Sequence, residues 1–550
     1  MRGAITILLL ALAGLPARAT EYAVAPGGLD GNSGLPDSPW RTLQKAADTL
    51  NAGDTVVVAD GSYDGFVARN SGSSGSPIVF RAANPGGALI DAPSGDAVGE
   101  ELDHHVAIRG KSYIVVDGFE VAGAPKAGIL VRSLTDTTGT DTRGVVVRNC
   151  VVHGNGTSAS AGHDGIRAVL AREFAADGNE VYGNAAHGIA VLGGADGPAL
   201  RRNKVHENGL DGIRLDGNLS LGGDGTISFW LVERNEVYGH PGGDALGLDG
   251  AAQGIAQNNL LYRNGQRGIH LYVQNGAAAS ASNLVVNNTV YNPSASGAAL
   301  RLADGANNNV AFNNLLYTTF GTGISAGAVS GFSHDYNTFT NISGGAQAAH
   351  EFLNPPGAVF TDTAADDYTL KAGSPALNSG ALEFSGTGAP GEDLQGTTRP
   401  FGAGIDRGAF EQGPPPDTSP PGVTILFPTL GTKYTTVAET TALSGAANDD
   451  RGVALVTWSN DAGGSGFALG TVSWSVPNVA LALGPNVITV MALDAAGNTG
   501  SDTLTVTRLP PPNQPPVLGP GRLPPPIRCS CRPAATCSSR PAIPTAGPSR

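Results

Sequence analysis

Four cysteines in 550 residues exclude a disulfide framework. Cys150 stands alone among the central repeats, where a small apolar core residue is expected; Cys529, Cys531 and Cys537 crowd the end of the chain in no metal-binding spacing. Charge is sparse, at 15% of residues, and acids outnumber bases 47 to 33 for a net charge of −14. That balance leaves no electrostatic footprint for nucleic acid or an anionic membrane, so neither is expected as a partner. It also gives no overall draw for a polyanionic glycan, which would need a local basic cleft or a bound cation. Aromatics are only 6%, while Gly reaches 79 and Pro 37, which excludes a helical bundle and fits a turn-rich β protein. Long apolar runs are absent after the N-terminus. The run at 5–12 is too short to span a bilayer. With Arg2 before it and Ala17-Arg18-Ala19 after it, residues 1–19 read as a secretory signal, so a secreted or cell-surface protein without a transmembrane segment is expected.

What the chain does have is one repeated phrase. Residues 203–216 read Asn-Lys-Val-His-Glu-Asn-Gly-Leu-Asp-Gly-Ile-Arg-Leu-Asp. Related phrases begin at Asn179, Asn235, Asn259, Asn288 and Asn314, with a looser copy at Asn149, roughly 24 to 32 residues apart. That period signals a solenoid. Each copy holds short runs of period 2 bounded by Asn and Gly, which are strands and turns with no room for a helix. Leucine-rich repeats would need a denser leucine framework, and hexapeptide coils a shorter, stricter period. The expected fold is all-β, a right-handed parallel β-helix. Ile213 and Leu215 should point inward and stack on Ile189 and Val191 of one coil and on Leu246 and Leu248 of the other. The leading asparagines should stack in a turn that tolerates the left-handed conformation. The glycines before each Ile (Gly165, Gly188, Gly212, Gly268, Gly323) should supply conformational freedom at another corner.

The β-helix is assigned residues 20–412. An amphipathic helix at 40–50, with Trp40, Leu43, Ala47 and Leu50 on one face, should cap the open end of the solenoid. Residues 22–63, followed by Ser76-Pro-Ile-Val-Phe-Arg-Ala and Tyr113-Ile-Val-Val-Asp-Gly-Phe-Glu-Val, resemble the start of secreted bacterial β-helix proteins of the pectate-lyase-like superfamily. Ala372-Gly-Ser-Pro-Ala-Leu-Asn and Gly404-Ile-Asp-Arg-Gly-Ala-Phe-Glu resemble its closing segment. The superfamily includes polysaccharide lyases, alginate epimerases and surface proteins. Residues 413–421 form a Pro-rich linker. Residues 422–508 alternate between strands and turns as a small β-sandwich, and Ala492-Leu-Asp-Ala-Ala-Gly-Asn-Thr resembles bacterial immunoglobulin-like modules, a spacer or an attachment to glycan or surface. Residues 509–550, with five Arg and no acid, read as a disordered tail.

Chemistry is expected where equivalent positions stack. Before each Gly of the Gly-Ile pair, or at its equivalent, stand Asp164, His187, Asp211, Asp244 and Arg267. After it come Arg167, Ala190, Arg214, Gly247 and His270, and two further on Asp216 and Asp249. Coils lie about 4.8 Å apart, so these residues should form a stripe. Such a stripe suits uronate β-elimination, which needs the sugar carboxylate neutralised and a base for the C5 proton. The catalytic candidates are Arg214, Arg267 and His270: the arginines for bidentate pairing with substrate carboxylates, and His270, or a transiently deprotonated Arg, as base. Arg167, His187 and Asp164 are the substrate-binding candidates. Asp211, Asp244 and Asp249 are candidate ligands for Ca2+. The blander account makes each Asp a turn residue, the Arg214–Asp211 contact a solvated ion pair, and the histidines surface residues.

The family's catalytic residues do not transfer. Asp249 stands near where one lyase group carries a Lys, and the Asp-Pro-His signature of the epimerases is missing. The expectation is a carbohydrate-active, polysaccharide lyase-like enzyme acting on acidic polysaccharide as a monomer. The competing classes are a hydrolase using two carboxylates, an epimerase, and a non-catalytic adhesion or glycan-binding β-helix. Convergence of Asp211, Arg214, Asp244, Arg267 and His270 in one groove would favour the enzyme.

Overall fold

The computed structural model describes residues 19–134, 142–160, 162–292, 297–412 and 417–512. The expected signal segment up to residue 18, the start of the expected linker at 413–416 and the residues from 513 with their three cysteines lie outside the described residues. The chain forms two compact units that divide after Gly413.

The first unit is a parallel solenoid. Each turn contributes one short strand to each of three parallel sheets of 12, 11 and 12 strands. Residues 199–216 make one such turn, through Ala199–Arg201, Lys204–His206 and Ile213–Asp216. The inward stack is as the period-2 pattern requires. Ile213 registers with Ile189 and Leu246, and Leu215 with Val191 and Leu248, all without solvent exposure.

What fixes the register is a column of buried asparagine amides. Asn203 donates its backbone N–H and Nδ2 to Asn235 Oδ1 at 2.9 and 3.0 Å, and Nδ2 also donates to the Ala176 carbonyl at 2.9 Å. The same bonds link Asn179, Asn203, Asn235, Asn259, Asn288, Asn314 and Asn337. Two expectations are corrected here. The column's first position in the looser copy is Cys150, whose N–H donates to Asn179 Oδ1, and not the exposed Asn149. The left-handed residue is the one before each asparagine, such as Arg202 (φ 52), Arg234 (φ 56) and Asn287 (φ 52).

A second amide column, unforeseen from the repeat, links Asn155, Asn184 and Asn208, then passes through His240 to Asn264 and Asn292. His240 accepts the Asn208 N–H on Nδ1, and burial holds its imidazole neutral, with its pKa down at about 4. The glycines before each Ile serve a purpose other than the one expected. None of the five has positive φ. A Cβ on Gly212 would lie 2.2 Å from Val237 Cγ1 and 2.7 Å from His240 Nε2, and one on Gly188 would lie 2.3 Å from Val205 Cγ1. They give up a side chain so that two sheets can meet.

The cap helix is shorter than expected, Leu43–Thr49, with the Thr42 hydroxyl accepting from the Lys45 N–H. Trp40 precedes it, stacked on Tyr22 at 4.8 Å, and both Trp40 and Leu43 join the solenoid core. Later residues, from Val359 to Phe410, pack over the third sheet, where Tyr262, Tyr317, Phe360 and Tyr368 share a cluster. There the buried Arg407 donates to the Asn337, His350 and Ser379 carbonyls. The second unit has sheets of three and five strands around one apolar core that includes Ile425, Leu443, Val456, Trp474, Ile488 and Leu504.

Asn235→Ala orphans buried groups on both neighbouring coils and should cost about 3 to 5 kcal/mol in urea unfolding, whereas Lys204→Ala on the exposed side should stay within about 0.5 kcal/mol.

Candidate active site

On the outer face of the second sheet, Arg167, Ala190, Arg214, Gly247, His270 and Arg301 stand in register, one per coil. Val169, Leu192, Asp216, Asp249 and Tyr272 form the next outward column. Beside them lies an open groove of about 530 Å³. Asp211, Arg214, Asp244, Arg267 and His270 converge in it, joined by Arg167, His187, Asp216 and Tyr272. Asp164 and Asp249 lie behind its wall, without exposure.

The corner residues build the wall by a ladder of their own. Asp164 Oδ1 accepts the His187 N–H at 3.2 Å, and His187 Nδ1 accepts the Asp211 N–H at 3.1 Å. Asp211 Oδ1 accepts the Asp244 N–H at 2.8 Å, and Asp244 Oδ1 the Arg267 N–H at 3.0 Å. Each aspartate therefore spends one oxygen on the coil above, as a turn residue would. The second oxygen is left for a side chain. In two coils it meets the arginine three residues on: Asp164 Oδ2 with Arg167 Nη1 at 2.8 Å, and Asp211 Oδ2 with Arg214 Nη1 at 3.2 Å. In the third coil the residue three on is Gly247. Asp244 Oδ2 instead accepts from His270 Nδ1 of the next coil at 2.9 Å.

That contact fixes the imidazole. With the Nδ1 proton given to Asp244, the Nε2 lone pair remains as an acceptor, and no described protein group bonds it. His187 takes the opposite tautomer, because its Nδ1 accepts an amide and its proton sits on Nε2. Its 3.6 Å approach to Asp211 Oδ2 is secondary to that amide bond. Arg214 is enclosed: it reaches Asp216 at 3.0 Å, lies 3.7 Å from Asp249 and sits 5.3 Å over the Tyr272 ring. Burial favours the neutral guanidine, but Tyr272, Asp211 and Asp216 outweigh it and the net shift is upward. Arg214 is thus held charged. Arg267 keeps an open edge while its Nη1 contacts Asp244 at 3.3 Å and Gln266 at 3.1 Å.

The three carboxylates expected to hold Ca2+ do not fit it. Asp211 and Asp244 are held by backbone amides and by Arg214, Arg267 and His270. Asp249 is buried one position further along, with Oδ1 accepting the Gln274 N–H at 2.7 Å. Among the described residues, the group of three carboxylates with oxygens within 4.8 Å of one another is in the second unit, at Asp417, Asp449 and Asp494.

Tyr272 was missed from the sequence, although it follows His270 by two on the same outward face and stacks on it at 4.2 Å. Burial pushes its phenol upward, so it stays protonated. Arg301 was missed because its coil reads Gly297-Ala-Ala-Leu-Arg and lacks the Gly-Ile pair.

Asp249 Oδ2 is buried with no hydrogen-bond partner, and burial, with Asp216 adjacent, pushes the carboxyl up to about 6. A raised carboxyl favours the folded state while protonated, and the advantage is lost as pH rises from the unfolded value through about 6. Asp249→Asn should therefore gain stability relative to the parent by up to about 2 kcal/mol between about pH 4 and about pH 8, read from denaturant midpoints at both ends.

Residues 164–341 match the family model described as Right handed beta helix region. The uncharacterised protein YwoF of Bacillus subtilis (strain 168) is 34% identical over 88 residues, 15% of this chain and 19% of that protein, so the match spans under a fifth of that relative's length. Among solved structures, pectate lyase Pel9A is similar at 17% identity over 72% of this chain and 97% of that one, with a TM-score of 0.49. XylC in complex with xylose is similar at 10% identity over 71% and 98%, TM-score 0.45, and a rhamnogalacturonan lyase at 17% over 62% and 91%, TM-score 0.38. The chain is a parallel β-solenoid whose segment 164–341 carries the right-handed β-helix pattern.

Proposed function

We propose that this groove acts on an acidic polysaccharide outside the cell by β-elimination, with His270 taking the C5 proton of a uronate. The observation that supports it is the Asp244–His270 pair at 2.9 Å. It orients an imidazole with Nε2 open to the groove and offsets the charge the ring gains on protonation. Nε2 accepts the proton, the C5–H electrons form the C4–C5 double bond, and the C4–O bond breaks. Tyr272, stacked on His270 and held protonated, is placed to return a proton to the departing oxygen. Arg267, with its open edge at the rim, binds the chain beside the reacting sugar, while Arg167 and Arg214 hold the wall through Asp164 and Asp211. A hydrolytic reading has one observation in its favour, the raised carboxyl of Asp249 next to Asp216, but Asp249 is sealed from the groove. The second unit serves in this reading as spacer or attachment.

The test is the ultraviolet absorbance of unsaturated uronate on incubating the full chain with pectate, alginate and glycosaminoglycans. A rise with one of them is expected. His270→Gln should lower its rate by roughly 100- to 10,000-fold, and Asp244→Asn, which disturbs the tautomer, should lower it comparably. A flat trace across the panel would sink the elimination reading.

A further inference from the structure

Elimination needs a cation for the sugar carboxylate, and every arginine lining the groove is already paired: Arg167 with Asp164, Arg214 with three carboxylates and Arg267 with Asp244. One coil beyond His270 the pattern changes. The corner residue there is Ala298, where the coils of Arg167 and Arg214 carry Asp164 and Asp211, so the arginine three residues on, Arg301, has no carboxylate of its own. Among the described residues no Asp or Glu lies within 4.0 Å of its guanidinium. Its Nη1 donates to Ser325 Oγ at 2.6 Å. Asp304, three residues further, accepts the Ala328 N–H instead. Above Arg301 the column continues with Ser325 and Ser343, so this end of the face carries a half-buried, unneutralised cation among hydroxyls.

We infer that Arg301, positioned by Ser325, forms the subsite for the carboxylate of the uronate whose C5 proton His270 removes. This rests on the reading of the groove as an elimination site. The spacing suits one sugar. His270 and Arg301 are register partners on adjacent parallel strands, so their Cα atoms lie about 4.8 Å apart. The carboxyl carbon is bonded to C5, so a proton acceptor and a carboxylate partner for one residue must sit side by side. A guanidinium with one N–H tied to Ser325 keeps an edge free for a bidentate carboxylate contact. Uncompensated charge also gives it a purpose the paired arginines lack. Ion pairing with the substrate would acidify the C5 proton just where the base waits.

The test measures binding by calorimetry to full-length His270→Gln, which cannot turn over. The probes are tetrasaccharides of galacturonate, mannuronate and guluronate and their carboxyl-reduced counterparts. Adding Arg301→Gln should weaken the preferred uronate by roughly tenfold or more, and leave its reduced form within roughly twofold. Arg301→Lys, which keeps the charge without the fork, should recover part of the loss, and it serves as the second variant if Arg301→Gln fails to fold. Equal loss for both sugars, or no loss for either, would overturn the subsite while leaving lyase activity of the parent intact. If the parent neither cleaves nor binds any acidic glycan, the subsite and the elimination reading fall together.

Discussion

The molecule depends on a buried amide whose partners, its equivalent asparagine and a backbone carbonyl, lie in neighbouring coils. An unpaired carboxamide inside this core would cost on the order of 1 to 3 kcal/mol, so each of the asparagines from Asn179 to Asn337 is stable only when the coils are in register. That requirement also holds residues such as Arg202 and Arg234 in the left-handed region, at a cost of roughly 1 kcal/mol each. With register locked, an outward side chain has a known neighbour about 4.8 Å away on either side. A site on this surface is therefore composed by what each coil writes at one position.

The groove follows the same logic in charged form. Asp164, Asp211 and Asp244 each give one oxygen to a backbone N–H of the coil above, whereas each asparagine oxygen accepts from the coil below. A carboxylate used this way brings a negative charge into a half-buried wall, and the coil answers with an arginine three residues on. The arginines of the wall are thus counterions first. Their presence does not make the groove positive, since Asp164, Asp211, Asp216, Asp244 and Asp249 outnumber Arg167, Arg214 and Arg267. This is why an acidic protein can hold so many arginines on one face without gaining a general affinity for anions, and why a single arginine without an acid matters.

Legibility in the sequence tracked how local each determinant is. The inward stack of Ile189, Ile213 and Leu246 was readable because period 2 and the repeat suffice to place it. Arg214, Asp211, Asp244, Arg267 and His270 could be put on one face for the same reason. What each side chain bonds was not readable, since pairing depends on which coil lies above. Asp249 looked like a cation ligand and is a buried carboxyl without a cradle. The five corner glycines looked like hinges, but the crowding by Val205 or Val237 that explains Gly188 and Gly212 comes from the sheet opposite. The column through Asn184, Asn208 and Asn264 was not foreseen, because His240 interrupts the asparagines and does the same job with a different side chain. Arg301 escaped because the alignment was hung on a Gly-Ile pair its coil lacks.

Gly247 ties geometry to chemistry. The first and second acidic coils read Asp-Gly-Ile-Arg, and each satisfies its own aspartate. The third reads Asp-Ala-Leu-Gly. A Cβ at Gly247 would lie 2.7 Å from Asp211 Oδ2 and 3.4 Å from Arg214 Cδ, so the glycine leaves the room in which the coil below completes its ion pair. It also leaves Asp244 Oδ2 with no cation in its own coil, and that oxygen turns to His270. An arginine at 247, the residue the repeat itself calls for, would take Asp244 and free the imidazole to rotate. The orientation of His270 follows from the glycine at 247, where the two other acidic coils carry an arginine, so a break in the acidic coils' pattern, more than the pattern, sets this stretch of the face apart.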